Sequence, residues 1–589
     1  MKRIRAPLVV LGALVLWGSV PPDAPLADAA MEDDAARVVE LLESGADVNA
    51  AQGDGMTALH WAAYNGRAEL VETLLSAGAN IDPVTRIGSY TPLHHAARNG
   101  YADVVDALLA AGANPEARTS TGGASPLHLA AAAGREAAVE SLVRAGAEVD
   151  AREERWGQTP LIFAASAGRT SAVRTLMDLG ADPSLTTNVV DIPEKEAVDR
   201  AAGEVRDQIL ETFREQAEDE SSWRPDPSQV KAAVQAAQDV QKAGTVSGDT
   251  SERDTSDDAF VGYTGLVGTQ GGLTALLHAV REGHAETAIA LIEGGAEVNR
   301  RSAGDETPPL LMATINGHFD LALELLVRGA DPNLASVAGA TPLYTALNTQ
   351  WAPKARYPQQ QAYQQQEASY LDVMEALLEA GADPNVRLRQ HLWYMSYTFD
   401  LLGVNVAGST PFWRAAYATD AEAMRLLVEH GADPDIPTRK PPERRRGDEE
   451  SEEEDPSGLP PVPVGGPAVW PIHAAAGVGY GQGFAGNAHR HVPDGWMPAM
   501  RYLVEDLGVD VNVRDHDGYN AVHHAAARGH DEMIRFLVEH GADVTAVSRE
   551  GQTTADMANG PVQRISPFPS TIRLLESLGS ENNDNCVSC

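Results

Sequence analysis

TPLHHAARNG, residues 91–100, sets a threonine, two histidines, an arginine and an asparagine side by side, a density that suggests an active site. Its recurrence decides otherwise. The closing glycine falls at Gly66, Gly100, Gly134 and Gly168, each step 34 residues, and Gly283 and Gly317 are again 34 apart. A second series, GAD, GAN, GAE or GVD, begins at Gly45, Gly78, Gly112, Gly146, Gly180, Gly295, Gly329, Gly381, Gly431, Gly508 and Gly541. Two interlocked series of one period define a repeat architecture. A catalytic group need not recur in every unit, whereas a structural one must.

Each sign has a physical reason. Thr91 caps a helix whose first residue is Pro92, where the missing N–H costs nothing. Leu93, Ala96 and Ala97 give a small apolar face that allows close stacking. Gly100 turns the chain through positive φ. ADVVDALLAAG then places Val104, Val105, Leu108 and Leu109 at helical spacing. One such unit cannot bury its own apolar face, so neighbours must stack.

The motifs TALHWAAYNG, TPLHHAARNG, SPLHLAAAAG, TPLIFAASAG, TPFWRAAYAT, WPIHAAAG and NAVHHAAARG resemble the ankyrin-repeat family over most of residues 28–580. TPPLLMATING and TPLYTALNTQ depart from the pattern. The resemblance implies an all-α solenoid of about eleven or twelve helix-turn-helix units with short β-hairpin-like loops, without catalysis of its own. It also implies that His60, His94, His128 and His473 hydrogen-bond between loops, that the partner is another protein, and that no cofactor is required.

Excess spacing marks the interruptions. An N-terminal block with its cap spans 25–192, followed by a helical insertion and flexible link at 193–270. In that insertion Val198, Ala202, Val205, Ile209 and Phe213 share one helical face, and PSQVKAAVQAAQDVQKA reads as a second helix. A helix pair packed on the stack is expected. A central block spans 271–438 with aromatic insertions. The charge-blocked, proline-rich stretch 439–467 is expected to be disordered and without fixed contacts. A last block spans 468–580, and a cysteine-containing tail spans 581–589.

Lys2, Arg3 and Arg5 precede the apolar run APLVVLGALVLWGSV, the pattern of a signal peptide within residues 1–24. An exported, bacterial-type ankyrin-repeat protein, periplasmic or secreted, is expected, with no membrane segment beyond this signal or an uncleaved anchor. The net charge of −39 argues against nucleic acid, and the acidic shell is read first as keeping a long molecule soluble and second as favouring basic partners.

Aromatic residues are 5% of the chain yet crowd one region. Trp351, Tyr357, Trp393, Tyr394, Tyr397, Trp413, Tyr417 and Trp496 are the expected partner-binding residues, because Trp and Tyr dominate interface hot spots. Packing of the insertions onto the stack is the competing reading of the same rings. Tyr64 and Arg98 are candidates on first helices of the N-terminal block.

A second functional reading places an enzyme or metal-dependent site in the Gly/His-rich loop 477–496. Gly481, Gly483 and Gly486 match GxGxxG but follow a helix, not the strand a dinucleotide needs. His489 and His491, with Asp494 nearby, could contribute to a metal site whose further ligands come from elsewhere. Cys586 and Cys589 could form a tail disulfide. No nucleophile elbow, Walker loop or HExxH motif occurs.

Overall fold

The computed structural model describes residues 24–217, 222–244, 263–352, 362–394, 403–442, 455–480, 489–560 and 567–583. The signal segment before Ala24, Tyr357, Tyr397, the glycine triplet and both cysteines lie outside the described residues. The chain divides into two compact units, through Asp182 and from Pro183 onward. The described repeat helices form five antiparallel pairs in the first unit and seven in the second, which also holds a further helix pair outside the repeats. No described helix is long and apolar enough to cross a membrane.

The repeat's chemistry is visible in the helix Pro92–Asn99. Thr91 Oγ1 accepts from the His94 amide, and His94 Nδ1 lies 2.8 Å from Thr91 Oγ1, closing the first turn. His94 Nε2 reaches Ala124 O of the next unit at 3.3 Å. His60, His128 and His473 make the same reach to Tyr90 O, Gln158 O and Val513 O. These histidines are structural bonds between units. Gly100 at φ 85° ends the helix, and a Cβ there would lie 2.6 Å from Arg135 Cδ of the following unit. Both the turn and the close approach require glycine.

The GADxN endings form a second connection. Asn333 accepts from the Asp383 amide at 2.8 Å and donates to Gly381 O at 2.9 Å. Asn385 does the same to Asp433 N at 2.8 Å and Gly431 O at 2.9 Å. These pairs are 46 to 50 residues apart in sequence. The uninterrupted pair Asn299 and Asp331 N is 32 apart, also at 2.8 Å. The insertions therefore leave the spacing of the stack untouched.

Their places explain how. Undisturbed loops close with one bond, as Glu153 N to Gln158 O at 3.0 Å. The same closure is made by Thr187 N to Leu273 O, Leu388 N to Ser409 O, and Thr438 N to Val469 O. Three insertions thus hang from loop tips. Two others, 352–369 and 477–495, sit in the turn between a unit's first and second helices.

In the first tip, strands Val189–Asp191 and Thr269–Gly271 pair antiparallel and carry the helices Ile192–Glu215 and Pro227–Ala243. The two helices pack on each other through Val198, Ala202 and Ala233, while Val205, Ile209 and Phe213 are only half-buried. The helix pair was expected, but its main partner is itself.

The proline-rich stretch differs from expectation. Its described part is tied down: Lys440 N donates to Gly466 O at 2.8 Å and Lys440 Nζ to Val462 O at 3.1 Å. Arg549 donates to Asp455 at 2.5 Å, to Leu459 O at 3.3 Å and to Pro460 O at 2.6 Å. Prolines lack amides but keep free carbonyls, and the Arg549 guanidinium supplies the missing donors.

Candidate functional site

The aromatic candidates of the second unit divide according to what covers them. Trp413 stands where other units have the TPLH histidine, is fully buried, and donates from Nε1 to Val469 O at 2.9 Å. It makes the histidine's inter-unit bond with an indole. Tyr417 is 1% exposed, stacks on Trp413 at 5.3 Å between centroids and on His489 at 4.4 Å. Trp496 is 7% exposed beneath the Arg528 guanidinium. These three residues are packing groups and present nothing to a partner.

The described ends of the loop 477–495, at Tyr480 and from His489 onward, pack on Tyr417 and Trp496. Val492 N donates to Ala418 O at 2.9 Å, and His489 lies against both Tyr417 O at 2.9 Å and the Tyr480 hydroxyl at 3.2 Å. Both ring nitrogens of His489 are thereby engaged, and burial, with the nearby His491, holds its pKa well below the ordinary histidine value. His491 packs on Trp496 at 4.7 Å. The two histidines come together, their centroids 5.2 Å apart, but as part of a ring stack. Among the described residues no group of three or more His, Cys, Asp or Glu side chains is arranged to hold a metal ion.

The residues that flank the insertion at 352–369 meet the same unit. Asp420, 2% exposed, accepts from Trp351 Nε1 at 2.9 Å and from the Tyr370 hydroxyl at 2.6 Å, and caps the helix Ala421–Glu429. Burial and the Asp420 charge push the Tyr370 phenol far above its usual pKa. Arg414, 1% exposed, donates to Asn348 at 2.9 Å and to Trp351 O at 2.6 Å. Trp351 is half-buried, at the edge of an open cleft of about 460 Å³ also bounded by Tyr370, Asp420 and Asp494. Trp393 and Tyr394 pack edge to face at 5.5 Å and are half-buried.

The first unit carries no insertion, and its rings stay in view. Tyr64 is 41% exposed, Tyr101 37% and Trp156 49%, while the loop-tip Ile87 is 81% exposed. Tyr64 packs edge to face on Trp61 at 5.6 Å and on His95 at 5.8 Å. Tyr90 adjoins the other side of His95 at 5.8 Å. Arg98 is exposed one turn further along the same helix. Tyr64 and Arg98, expected as partner contacts, are exposed, and the sequence reading passed over their neighbours His95, Trp61 and Ile87. His95 is the second histidine of the motif, one residue out of the inter-unit register, and that offset was the available signal.

A like offset occurs at His524. It pairs with Asp515 at 3.1 Å, both nearly fully buried. Burial alone would raise the Asp515 carboxyl, but the hydrogen bond and charge of His524 hold it below the usual carboxylate range. The pair lies between the last units and lines no described cleft.

With the geometry in place, family comparisons agree with it. The model for "Ankyrin repeats (3 copies)" matches residues 26–119, 116–187, 258–336 and 276–388. "Ankyrin repeats (many copies)" matches 502–558, and "Ankyrin repeat" matches 407–439. The chain belongs to the ankyrin-repeat family. It is similar to protein phosphatase 1 regulatory subunit 12A of Mus musculus, 35% identical over 71 residues, 12% of this chain and 7% of the relative. Ankyrin repeat domain-containing protein 49 of Bos taurus is 40% identical over 52 residues, 9% of this chain and 22% of the relative. Palmitoyltransferase Hip14 of Drosophila melanogaster is 49% identical over 49 residues, 8% of each. The chain thus spans less than a quarter of the length of each of these relatives.

Proposed function

We propose that this chain is an exported, non-catalytic scaffold that binds another protein through the open first-helix and loop-tip face of its first unit. The observation that carries this reading is the distribution of rings. Among the described residues the exposed aromatic side chains Tyr64, Tyr101 and Trp156 all belong to the first unit, whereas Tyr417 in the second lies beneath His489. Exposed aromatic groups on a rigid surface are the usual hot-spot material. A regulatory-subunit relative supports scaffolding in general, though the match covers only repeats. The N-terminal basic and apolar sequence supports export.

The test is site-specific photocrosslinking in the producing cell. A crosslinker at Tyr64 or Ile87 is expected to trap a discrete partner, and one at Val478 is not. Trapping from Val478 alone would move the site to the second unit. Export is read by fractionation together with the mass of the mature N-terminus, and a full-length cytoplasmic product would refute it.

A further inference from the structure

We propose that the face running from Tyr64 and His95 through Arg98 to Arg135 and Arg169 docks an acidic, extended segment of a partner protein. This deepens the reading of the first unit as a protein-binding surface and rests on it. The chain has 84 acidic against 45 basic residues, so its arginines have a surplus of carboxylates to choose from. In the same unit Arg37, Arg67, Arg118 and Arg144 each pair with one, while Arg86, Arg155 and Arg174 have no ion pair among the described residues. Arg98, Arg135 and Arg169 are exposed and make no ion pair among the described residues.

The stems of two are fixed. Arg135 Nε donates to Arg98 O at 3.4 Å, and Arg169 Nε to Ala132 O at 3.1 Å. Each lies over the glycine of the preceding unit, Gly100 and Gly134. The outer guanidinium nitrogens keep their donors, in the fork that suits a carboxylate. Arg135 and Arg169 are one repeat apart, a layer of roughly 10 Å, which matches one three-residue turn of an extended polyproline II segment, where every third side chain shares a face. An acid at every third position would meet them in register.

The apolar end has its own opening. His95 Nε2 is buried with no hydrogen-bond partner among the described residues, between Tyr64 and Tyr90. That nitrogen is enclosed by its neighbours, and it is the 41% exposed ring of Tyr64 that an aromatic or apolar side chain of the partner would cover. A short acidic segment also escapes the repulsion that the net charge of −39 imposes on a polyanion. Charges more than about 8 Å away are screened at physiological salt, whereas DNA or an anionic bilayer would reach the acids further along the outer helices, such as Asp106 and Asp178.

The test uses the whole export-processed chain and fluorescence anisotropy with three labelled peptides. One carries Glu at every third position and a single Phe; in the others Lys or Gln replaces Glu. The Glu peptide is expected to bind, to weaken as salt rises, and to lose about tenfold for each guanidinium removed across Arg98→Gln, Arg135→Gln and Arg169→Gln. It is also expected to weaken with Tyr64→Ser. Equal or tighter binding of the Lys or Gln peptide, or an unchanged triple variant, overturns the acidic preference. If the Gln peptide binds and Tyr64→Ser abolishes it, the protein-binding face stands and only the charge preference falls. If no peptide binds, the acidic docking site falls, while crosslinking from Tyr64 still judges the face itself. Tighter binding to duplex DNA or phosphatidylserine vesicles than to the Glu peptide also overturns the proposal.

Discussion

Acidification should loosen the first unit before the carboxylates of the chain titrate. His94, His95 and His128 are held at pKa values of about 4, in each case chiefly by burial. In the unfolded chain each titrates near 6.5. A histidine whose folded pKa is depressed contributes stability above about pH 6.5, and that contribution is lost as pH falls toward 4. At pH 5 the loss is about 2 kcal/mol for each, hence about 6 kcal/mol for the three, against a typical domain stability of roughly 5–15 kcal/mol. Hydrogen-exchange mass spectrometry on the full chain, corrected for intrinsic rates, reads this locally in peptides from 58–133. The opening free energy there is expected to fall by several kcal/mol between pH 7 and pH 5. His95→Leu removes one titrating ring without touching an inter-unit bond, so it should recover about 2 kcal/mol of that fall. Parallel pH curves for the wild type and His95→Leu would refute the reasoning.

Other outcomes follow from the packing. Trp413→Ala is expected to cost roughly 4 kcal/mol in the second unit. Trp413→His restores the reach to Val469 O and should cost clearly less, as read by urea denaturation. Asp420→Ala leaves the Trp351 indole and the Tyr370 hydroxyl without their acceptor and should cost about 2–3 kcal/mol, with Tyr370 titrating nearer its ordinary value in ultraviolet difference spectra. Arg549→Ala should free the stretch 455–467 for limited proteolysis without shifting the main unfolding transition by more than about 1 kcal/mol. An uncut stretch in that variant would show that the prolines hold themselves in place.

The period, the helix caps and the inter-unit histidines were legible in the sequence because each depends on a few neighbouring residues. Thr91, Pro92, His94 and Gly100 state a local geometry that the next unit only repeats. The insertions were legible as excess length, but the bonds that close a repeat across them were not, since these join residues such as Leu388 and Ser409 from either side of the insertion. The site was read least well. Trp413 and Tyr417 carry the residue types of a hot spot, and only the positions of Val469 against Trp413 and His489 against Tyr417 decide that they are covered. TPFW aligned on TPLH held the remaining clue, because Trp413 falls on the histidine's position and can donate the same bond.

The long insertion at the first loop tip has a kinetic consequence. Thr187 and Leu273 must meet as Glu153 and Gln158 do, but across 85 intervening residues instead of 4. Loop-closure entropy raises the cost of that meeting by about 2.5 kcal/mol. The helices Ile192–Glu215 and Pro227–Ala243 shorten the search, since they can zip together from local contacts and bring the strand at Val189 toward the strand at Thr269. Assembly of this part of the second unit would then wait on a helical hairpin that makes no repeat of its own, and substitutions at Ala202 or Ala233 would slow folding more than they speed unfolding.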